Sequence, residues 1–156
     1  MDPNDLDPRF QHLGRDLLLT PFFQAADGDS LDLATDPRGA VTRDDRVDFD
    51  RAVGPGALKQ ALVMRLLTPV GSLSELAHPA YGSRLGELIG EISTPFTRAK
   101  ARAFVLEALA AERRVAEVLA VDVRTAEGAN DRLLIDVQVT AVGGGDPISL
   151  GLEVAL

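Results

Sequence analysis

The last third of the chain contains three stretches in which apolar residues occupy every second position. The pattern is clearest at the end, where the alternate residues from Ile148 to Leu156 are all apolar. Residues 115–125 and 132–142 alternate in a similar way. Such alternation predicts strands that bury one face, and the short links between them favour an antiparallel three-stranded sheet. On the first strand, the predicted buried face is Val115, Leu119, Val121 and Val123.

Two segments before these strands have the periodicity of amphipathic helices. The first begins at Gly54-Pro55 and ends at Thr68-Pro69, because a residue before proline avoids the helical conformation. The second extends from Thr97, a suitable N-cap, to Arg114, whose charge suits the C-terminal end of a helix. A shorter helix is expected over residues 85–90. The two apolar stripes are Leu58, Leu62, Val63, Leu66 and Leu67, and Ala101, Phe104, Val105, Ala108 and Leu109.

The first third of the chain has weaker signals. Residues 1–12 are acidic and proline-rich, which predicts a disordered arm and leaves residues 13–156 as a single domain. Residues 16–23 are expected to be extended, and residues 31–34 are expected to pair with residues 40–42 in a small hairpin. We see no internal repeat. The predicted fold class is α+β, with small N-terminal β elements, two main helices plus a short one, and a C-terminal three-stranded antiparallel sheet.

Composition narrows the classes of function. The formal net charge is −8, which disfavours binding to nucleic-acid phosphates and to anionic membranes. Cysteine is absent, so disulfides and thiolate metal sites are excluded. The sequence shows no secretory signal and no apolar run of about 20 residues, the length that spans a bilayer. We therefore expect a soluble cytoplasmic protein that by itself binds neither nucleic acid nor membrane.

Candidate catalytic residues have little support. A glycosidase needs two carboxyl groups across the scissile bond, one of them with a raised pKa. The histidines, His12 and His78, have no acid cluster near them in the sequence. Neither the glycines nor the serines match a phosphate-binding loop or a nucleophile elbow. We therefore expect no enzyme activity, metal or cofactor, and we interpret the glutamates as solvated. The glutamates considered for a catalytic pair are Glu75, Glu87, Glu91 and Glu112.

Three motifs occur in a recognisable order. They are RLLTPVG at Arg65–Gly71, HPAYG at His78–Gly82 and LGELIGE at Leu85–Glu91, with a similar GDSLDL stretch upstream at Gly28–Leu33. This order resembles the baseplate wedge family of contractile tails. That family comprises the "lysozyme-like" wedge subunits of phage baseplates, type VI secretion baseplates and extracellular contractile injection systems. The resemblance extends from about residue 14 to the last residue.

The same family has a Glu-Pro-Arg motif after its long helix. The corresponding residues here are Glu112, Arg113 and Arg114, so that arginine replaces the proline. The resemblance implies that Glu112 and Arg114 help to hold the helical bundle of the other wedge subunits. From the residues alone, a helix end whose arginines complement the dipole is an equally good interpretation. The full wedge-partner interface implied is Glu112, Arg114, His78, Tyr81 and Arg84.

The resemblance also implies that the C-terminal strands meet the sheath protein. In that family the sheath subunits exchange strands, and the wedge subunit offers the first sheet. About six copies per baseplate and contacts with hub or spike components are further implications. Two other functions stay open: a peptidoglycan-cleaving muramidase, and an unrelated binding module that dimerises through its terminal strand. The sheath interface implied by the resemblance is Ile148, Leu150, Leu152 and Val154.

Overall fold

The computed structural model describes residues 8–20, 32–36 and 48–156. The chain divides into two compact units, Met1–Gln60 and Ala61–Leu156, and the boundary falls within helix α1, Pro55–Leu67. The α+β class predicted from the sequence is confirmed. In the described part of the first unit, a 3₁₀ helix, Pro8–Leu13, precedes six short strands. These strands are β1 Arg15–Leu17, β2 Leu19–Thr20, β3 Asp32–Leu33, β4 Thr35–Asp36, β5 Asp48–Phe49 and β6 Arg51–Val53.

The segment predicted to be a disordered arm is only partly described. Residues 8–12 belong to the 3₁₀ helix, and the side chain of Leu13, at the end of that helix, is fully buried. Residues 1–7 lie outside the described residues. The predicted hairpin is likewise covered in part. Strand β3 pairs with β2, and β4 pairs with β5, whereas residues 40–42 lie outside the described residues.

The six short strands form three antiparallel pairs, β1 with β6, β2 with β3 and β4 with β5. The pairs meet at Leu18, Ala34 and Asp50. The N–H of Leu18 donates to the carbonyl of Asp50 (2.9 Å), that of Asp50 to Ala34 (2.8 Å) and that of Ala34 to Leu18 (2.8 Å). The three hydrogen bonds form a closed ring. Each of the three residues lies between two strands that pair with different partners, and the ring satisfies its backbone N–H and C=O.

The ring reveals an internal repeat that sequence analysis did not detect. Leu18, Ala34 and Asp50 are each 16 residues apart in the chain. Two positions before each of them stands an aspartate, followed by a large apolar residue, in the pairs Asp16-Leu17, Asp32-Leu33 and Asp48-Phe49. The repeat consists of these two positions only. Two matching positions in 16 are too few to recognise in the sequence, and the arrangement of the three strand pairs is needed to see them.

Gln60 forms hydrogen bonds with the backbone on both sides of Leu18. Its side chain is 3% exposed. Its Nε2 donates to the carbonyl of Leu17 (2.8 Å), and its Oε1 accepts from the N–H of Leu19 (3.1 Å). The side-chain amide thus serves as a neighbouring strand would, pairing two backbone groups on either side of Leu18. Gln60 is polar but lies on the buried face of α1, where the sequence pattern alone would place an apolar residue.

Helix α1 begins and ends where the sequence predicts. Pro55 occupies its first turn, and it ends at Leu67, immediately before Thr68-Pro69. The expected stripe is buried except for Leu67, which is 41% exposed and therefore lies on the outer face. The buried members are Leu58, Leu62, Val63 and Leu66.

In the second unit, helix α2 is Pro95–Ala110, shorter at its C-terminal end than predicted. Its N-cap is Thr94 and not Thr97, because the hydroxyl of Thr94 accepts the N–H of Thr97 (3.1 Å). Arg114 lies four residues beyond the helix, so its charge does not complement the helix dipole from the last turn. Two 3₁₀ helices precede α2, Ser74–Leu76 and Leu85–Leu88, and the second is the predicted short helix. The predicted apolar stripe of α2 is buried in full.

The second unit ends in an antiparallel sheet of order β7-β8-β9, and α2 packs against β7. The strands are β7 Val115–Ala126, β8 Ala129–Ala141 and β9 Ile148–Ala155. The alternation predicted for residues 132–142 is confirmed on β8, since every second side chain from Leu133 to Ala141 is buried. The sheet therefore covers its inner face with α2 and leaves its outer face to solvent.

The predicted buried face of β7 is wrong at Leu119, which is 46% exposed. Val118 pairs with Val139 and Ala120 with Gln138, so Leu119 is the extra residue of a β-bulge. A second bulge lies between Val115 and Glu117. Each bulge shifts the alternation by one residue, because two residues on β7 then oppose one on β8. Val115, Val118, Val121 and Val123 consequently share the inner face.

Candidate interaction site

A charged cluster lies just beyond the end of α2. The carboxylate of Glu112, whose residue is 9% exposed, accepts hydrogen bonds from Arg114 Nε (2.8 Å) and Nη2 (3.1 Å). Arg65 Nη2 on α1 lies 3.4 Å from Oε2 of the same carboxylate, the oxygen that also accepts from Arg114 Nη2. The hydrogen bonds from Arg114 are the main reason that the pKa of Glu112 is held below its usual value. Glu112 is therefore ionised at neutral pH and bridges two arginines.

Arg65 is the member of this cluster that sequence analysis missed. Its guanidinium lies 4.5 Å from the ring centre of Tyr81, in a cation–π arrangement. Among the described residues its Nε is buried without a hydrogen-bond acceptor. The only signal in the sequence was its place at the start of the RLLTPVG motif, to which no role was assigned. Arg65 thus brings together three residues of the predicted wedge-partner interface, Glu112, Arg114 and Tyr81.

The first two motifs of the sequence cross each other in space. Ser83 N–H donates to the carbonyl of Thr68 (2.8 Å), and Val70 N–H donates to the carbonyl of Ser83 (2.9 Å). Gly82 has a φ of +116°, and a Cβ built on it would collide with the carbonyl oxygen of Thr68. Only glycine permits this approach, which explains the last residue of HPAYG. The crossing fixes the backbone beside Tyr81.

Arg84 makes separate contacts. It forms a bidentate pair with Glu87, at 2.8 and 2.9 Å, and its guanidinium lies 4.4 Å from the ring centre of Phe104. Glu107 stands 3.9 Å away. The pair lowers the pKa of Glu87. His78, the remaining predicted residue of the wedge-partner interface, is exposed in the turn after the first of the two 3₁₀ helices.

The predicted sheath-interface residues all lie on β9. Ile148, Leu150 and Leu152 are buried and Val154 is half-buried, so their side chains belong to the core of the unit. A strand that pairs with the outer edge of β9 would therefore contact other residues of β9. Leu156 N–H donates to the carbonyl of Asp131 (2.7 Å). Because Ala155 pairs with Arg132, these two residues would be the next pair along β8 and β9.

This hydrogen bond identifies the backbone groups at the outer edge of β9. Because hydrogen-bonding direction alternates along a strand, even-numbered residues of β9 direct their N–H and C=O toward β8. Ser149, Gly151, Glu153 and Ala155 direct theirs away from β8. No described strand pairs with this second edge. A row of backbone donors and acceptors is thus available there.

Within residues 8–20, 32–36 and 48–156, no group of three His, Asp or Glu side chains is arranged to hold a metal ion. No helix in that part of the chain is both long and apolar enough to cross a membrane.

No protein-family model matches the chain, and no curated protein sequence matches it. Among solved structures, the chain is similar to a Geobacter sulfurreducens protein described as a candidate tail lysozyme. The TM-score is 0.54 and the sequence identity is 24%, and the likeness covers 63% of this chain and 86% of that protein. At this level of identity the likeness concerns the fold. The chain shares the fold of a protein whose name refers to a tail lysozyme.

Proposed function

We propose that the protein is a structural baseplate wedge subunit of a contractile injection machine, which binds other wedge subunits and initiates sheath assembly at the outer edge of β9. The fold shared with a protein named as a tail lysozyme supports the proposal that this protein belongs to a contractile tail. The edge of β9 is the observation that carries the proposal. It is the place where another chain can add a strand through main-chain hydrogen bonds.

The two edges of the sheet differ in a way that favours β9. Natural edge strands are protected by bulges, prolines or charges that prevent pairing with other chains. Strand β7 carries register shifts at three places along its length. Strand β9 pairs with β8 from Ile148 to Ala155 without a shift, and its sequence contains no proline and no lysine. Its one charged residue, Glu153, pairs with Arg132 on β8. A regular edge without a bulge or a proline fits a strand that has a partner in the assembled particle.

The charged cluster supports the second half of the proposal. Glu112 is nearly buried and already ionised, whereas the side chain of Arg114 is 31% exposed. Glu112 thus holds Arg114 in position, and Arg114 presents its remaining surface to a wedge partner. The role of Glu112 in this proposal is to position Arg114, since a residue so buried has little surface to offer. Arg113, which replaces the proline of the family motif, is exposed.

The pKa directions weigh against the muramidase alternative. The general acid of a glycosidase must hold its proton near neutral pH, which requires a raised pKa. The pKa values of Glu87, Glu91 and Glu112 are instead lowered, mainly by hydrogen bonds from Arg84, Lys100 and Arg114 respectively. These three candidates are poor proton donors, so a structural role is the better proposal.

The proposal is tested by removing single N–H groups from the outer edge of β9. Deleting residues 148–156 would also remove three buried side chains and destabilise the unit. Ser149→Pro or Glu153→Pro removes one outward N–H and leaves the hydrogen bonds to β8 in place. The matched controls, Ser149→Ala and Glu153→Ala, change the side chain but keep the N–H.

Baseplates that contain the proline variants should fail to nucleate sheath in electron micrographs, whereas the alanine controls should assemble normally. Circular dichroism must show that the proline variants are folded. Full-length sheaths on baseplates with folded Ser149→Pro protein would refute the proposal. For the wedge partners, Arg114→Ala should weaken co-purification with the other wedge subunits, and Arg113→Ala serves as the exposed neighbouring control.

A further inference from the structure

Gly151 lies in the middle of β9, on the strand whose outer edge is open. A glycine inside a strand weakens it and often marks a bulge or a place where another group approaches closely. Gly151 does not have a positive φ, and β9 pairs with β8 there without a bulge. The backbone conformation therefore does not require glycine, and the reason for it lies in a neighbouring side chain.

That side chain is Asp136, the register partner of Gly151 on β8. A Cβ built on Gly151 would lie 3.0 Å from Asp136 Oδ1, closer than ordinary van der Waals contact. The other oxygen, Oδ2, accepts from Arg124 Nη2 on β7 (2.8 Å), on the side away from the edge of β9. Among the described residues no group donates to Oδ1. The carboxylate is thus held by Arg124 at one oxygen, while the other lies over the glycine toward the open edge.

A strand that adds to the outer edge of β9 brings one residue directly opposite Gly151. Gly151 directs its N–H and C=O away from β8, so in antiparallel pairing the Cα atoms of the two residues are about 5.5 Å apart. Because Gly151 has no side chain, a long side chain on the added strand can cross it and reach Asp136 Oδ1. Lysine and arginine have such side chains, and their charged ends donate hydrogen bonds to carboxylates.

We propose that the outer edge of β9 selects a strand of another protein that carries a lysine or arginine opposite Gly151, and that this residue pairs with Asp136 across the glycine. Opposite charges on neighbouring strands stabilise pairing, whereas like charges oppose it. The inference rests on the proposed function, because it requires a strand to add at this edge. It goes further by naming the chemistry that decides which strand is accepted.

The charges near the edge also favour a basic strand over a second copy of this chain. Residues 142–156 contain two acidic residues, Asp146 and Glu153, and no lysine or arginine. A second copy that paired through its own β9 would place no basic residue opposite Gly151 and would add its own acidic residues. A basic strand from a different protein complements both the edge and Asp136.

The first experiment identifies the added strand, using the full chain in the cells that produce it. A photo-cross-linking phenylalanine derivative replaces Ser149 or Ala155, which keeps their outward N–H groups, and, as a control, Glu127 in the turn between β7 and β8. Mass spectrometry locates the cross-linked residues. The cross-links from positions 149 and 155 give the direction and register of the added strand. We expect both positions to capture one extended segment with a lysine or arginine opposite Gly151, and position 127 not to capture it.

The second experiment measures the affinity of the purified captured protein for variants of this chain. Asp136→Asn should weaken binding about threefold, and the difference should shrink in about 0.5 M salt. Asp122→Asn is the matched control, because Asp122 is exposed and is the register partner of Asp136 on β7, on the side away from the edge. Its affinity should equal that of the unmodified chain. Asp136→Arg should weaken binding about tenfold or more, and changing the basic residue of the partner to glutamate should restore it.

The outcomes separate this inference from the proposed function. A captured strand without a basic residue opposite Gly151 would overturn the inference and leave strand addition at β9 standing. Equal affinities of Asp136→Asn and Asp122→Asn, or failure of the charge exchange to restore binding, would do the same. Capture of nothing, or of a second copy of this chain, at positions 149 and 155 would overturn both. Thermal unfolding checks that each variant is folded.

Discussion

Arg65 on α1 and Glu112 beyond the end of α2 are joined at 3.4 Å, although 47 residues separate them in the chain. Arg114 holds the same carboxylate through its side chain and through its backbone N–H (3.3 Å). Because Glu112 is ionised, its removal takes away a negative charge that both arginines contact. The cluster therefore ties the end of α2 to α1 as well as orienting Arg114.

The stabilisation from Glu112 should depend on pH. The pKa of Glu112 is lowered by folding, so its contribution is fully present above the ordinary glutamate value and is lost as the pH falls through the lower folded value. At pH 7, Glu112→Gln should reduce the free energy of unfolding by about 1–3 kcal/mol. The difference from the unmodified protein should shrink below about pH 4. Urea unfolding across a pH series measures it.

The control for this change is Glu107→Gln. Glu107 is 65% exposed and lies 3.9 Å from Arg84, so its loss should cost less than about 0.5 kcal/mol. A Glu112→Gln variant as stable as the Glu107→Gln control at pH 7 would show that the cluster does not stabilise the fold.

Gly82 should be much less tolerant of a side chain than Gly90. Both have positive φ, +116° and +92°, but only at Gly82 would a Cβ collide with backbone. Gly90→Ala thus reports conformational strain alone, about 1–2 kcal/mol. Gly82→Ala adds the collision with Thr68 and should cost more than about 3 kcal/mol. Thermal and urea unfolding compare the two variants, and equal losses would disprove the close crossing of the two motifs.

Gln60→Leu should destabilise the first unit despite burying more apolar surface. The change leaves the carbonyl of Leu17 and the N–H of Leu19 without their partner, at roughly 1–3 kcal/mol for each group. Lys59→Ala, at the adjacent exposed position, should change the free energy of unfolding by less than about 0.5 kcal/mol. Hydrogen exchange at the Leu19 amide should also accelerate in Gln60→Leu. Unchanged protection of that amide would mean that the glutamine does not hold the strand.

The bulges of β7 predict opposite outcomes at two neighbouring positions. Val118→Asp introduces a charge on the inner face of the sheet and should cost more than about 2 kcal/mol. Leu119→Asp introduces the same charge on the outer face and should cost less than about 1 kcal/mol. Chemical unfolding of the two variants makes the comparison. The reverse order would mean that β7 alternates regularly, as its sequence alone suggests.

Sequence analysis located the elements whose residues carry a local period. The ends of α1 follow from Pro55 and from Thr68-Pro69, since proline acts on its own backbone and on the residue before it. The faces of β8 and β9 follow from strict alternation. The prediction extends α2 too far at its C-terminal end, because residues 111–114 are compatible with a helix, whereas in the structure they form the turn that leads into β7.

The sequence by itself determined the class of the fold, the two apolar helix faces and the inner faces of β8 and β9, because these depend on residues a few positions apart. The tertiary structure alone decided which residues of β7 face inward, the ring of Leu18, Ala34 and Asp50, and the contact of Arg65 with Glu112. Each of these depends on which distant backbone or side chain supplies the partner, and no local period records that choice.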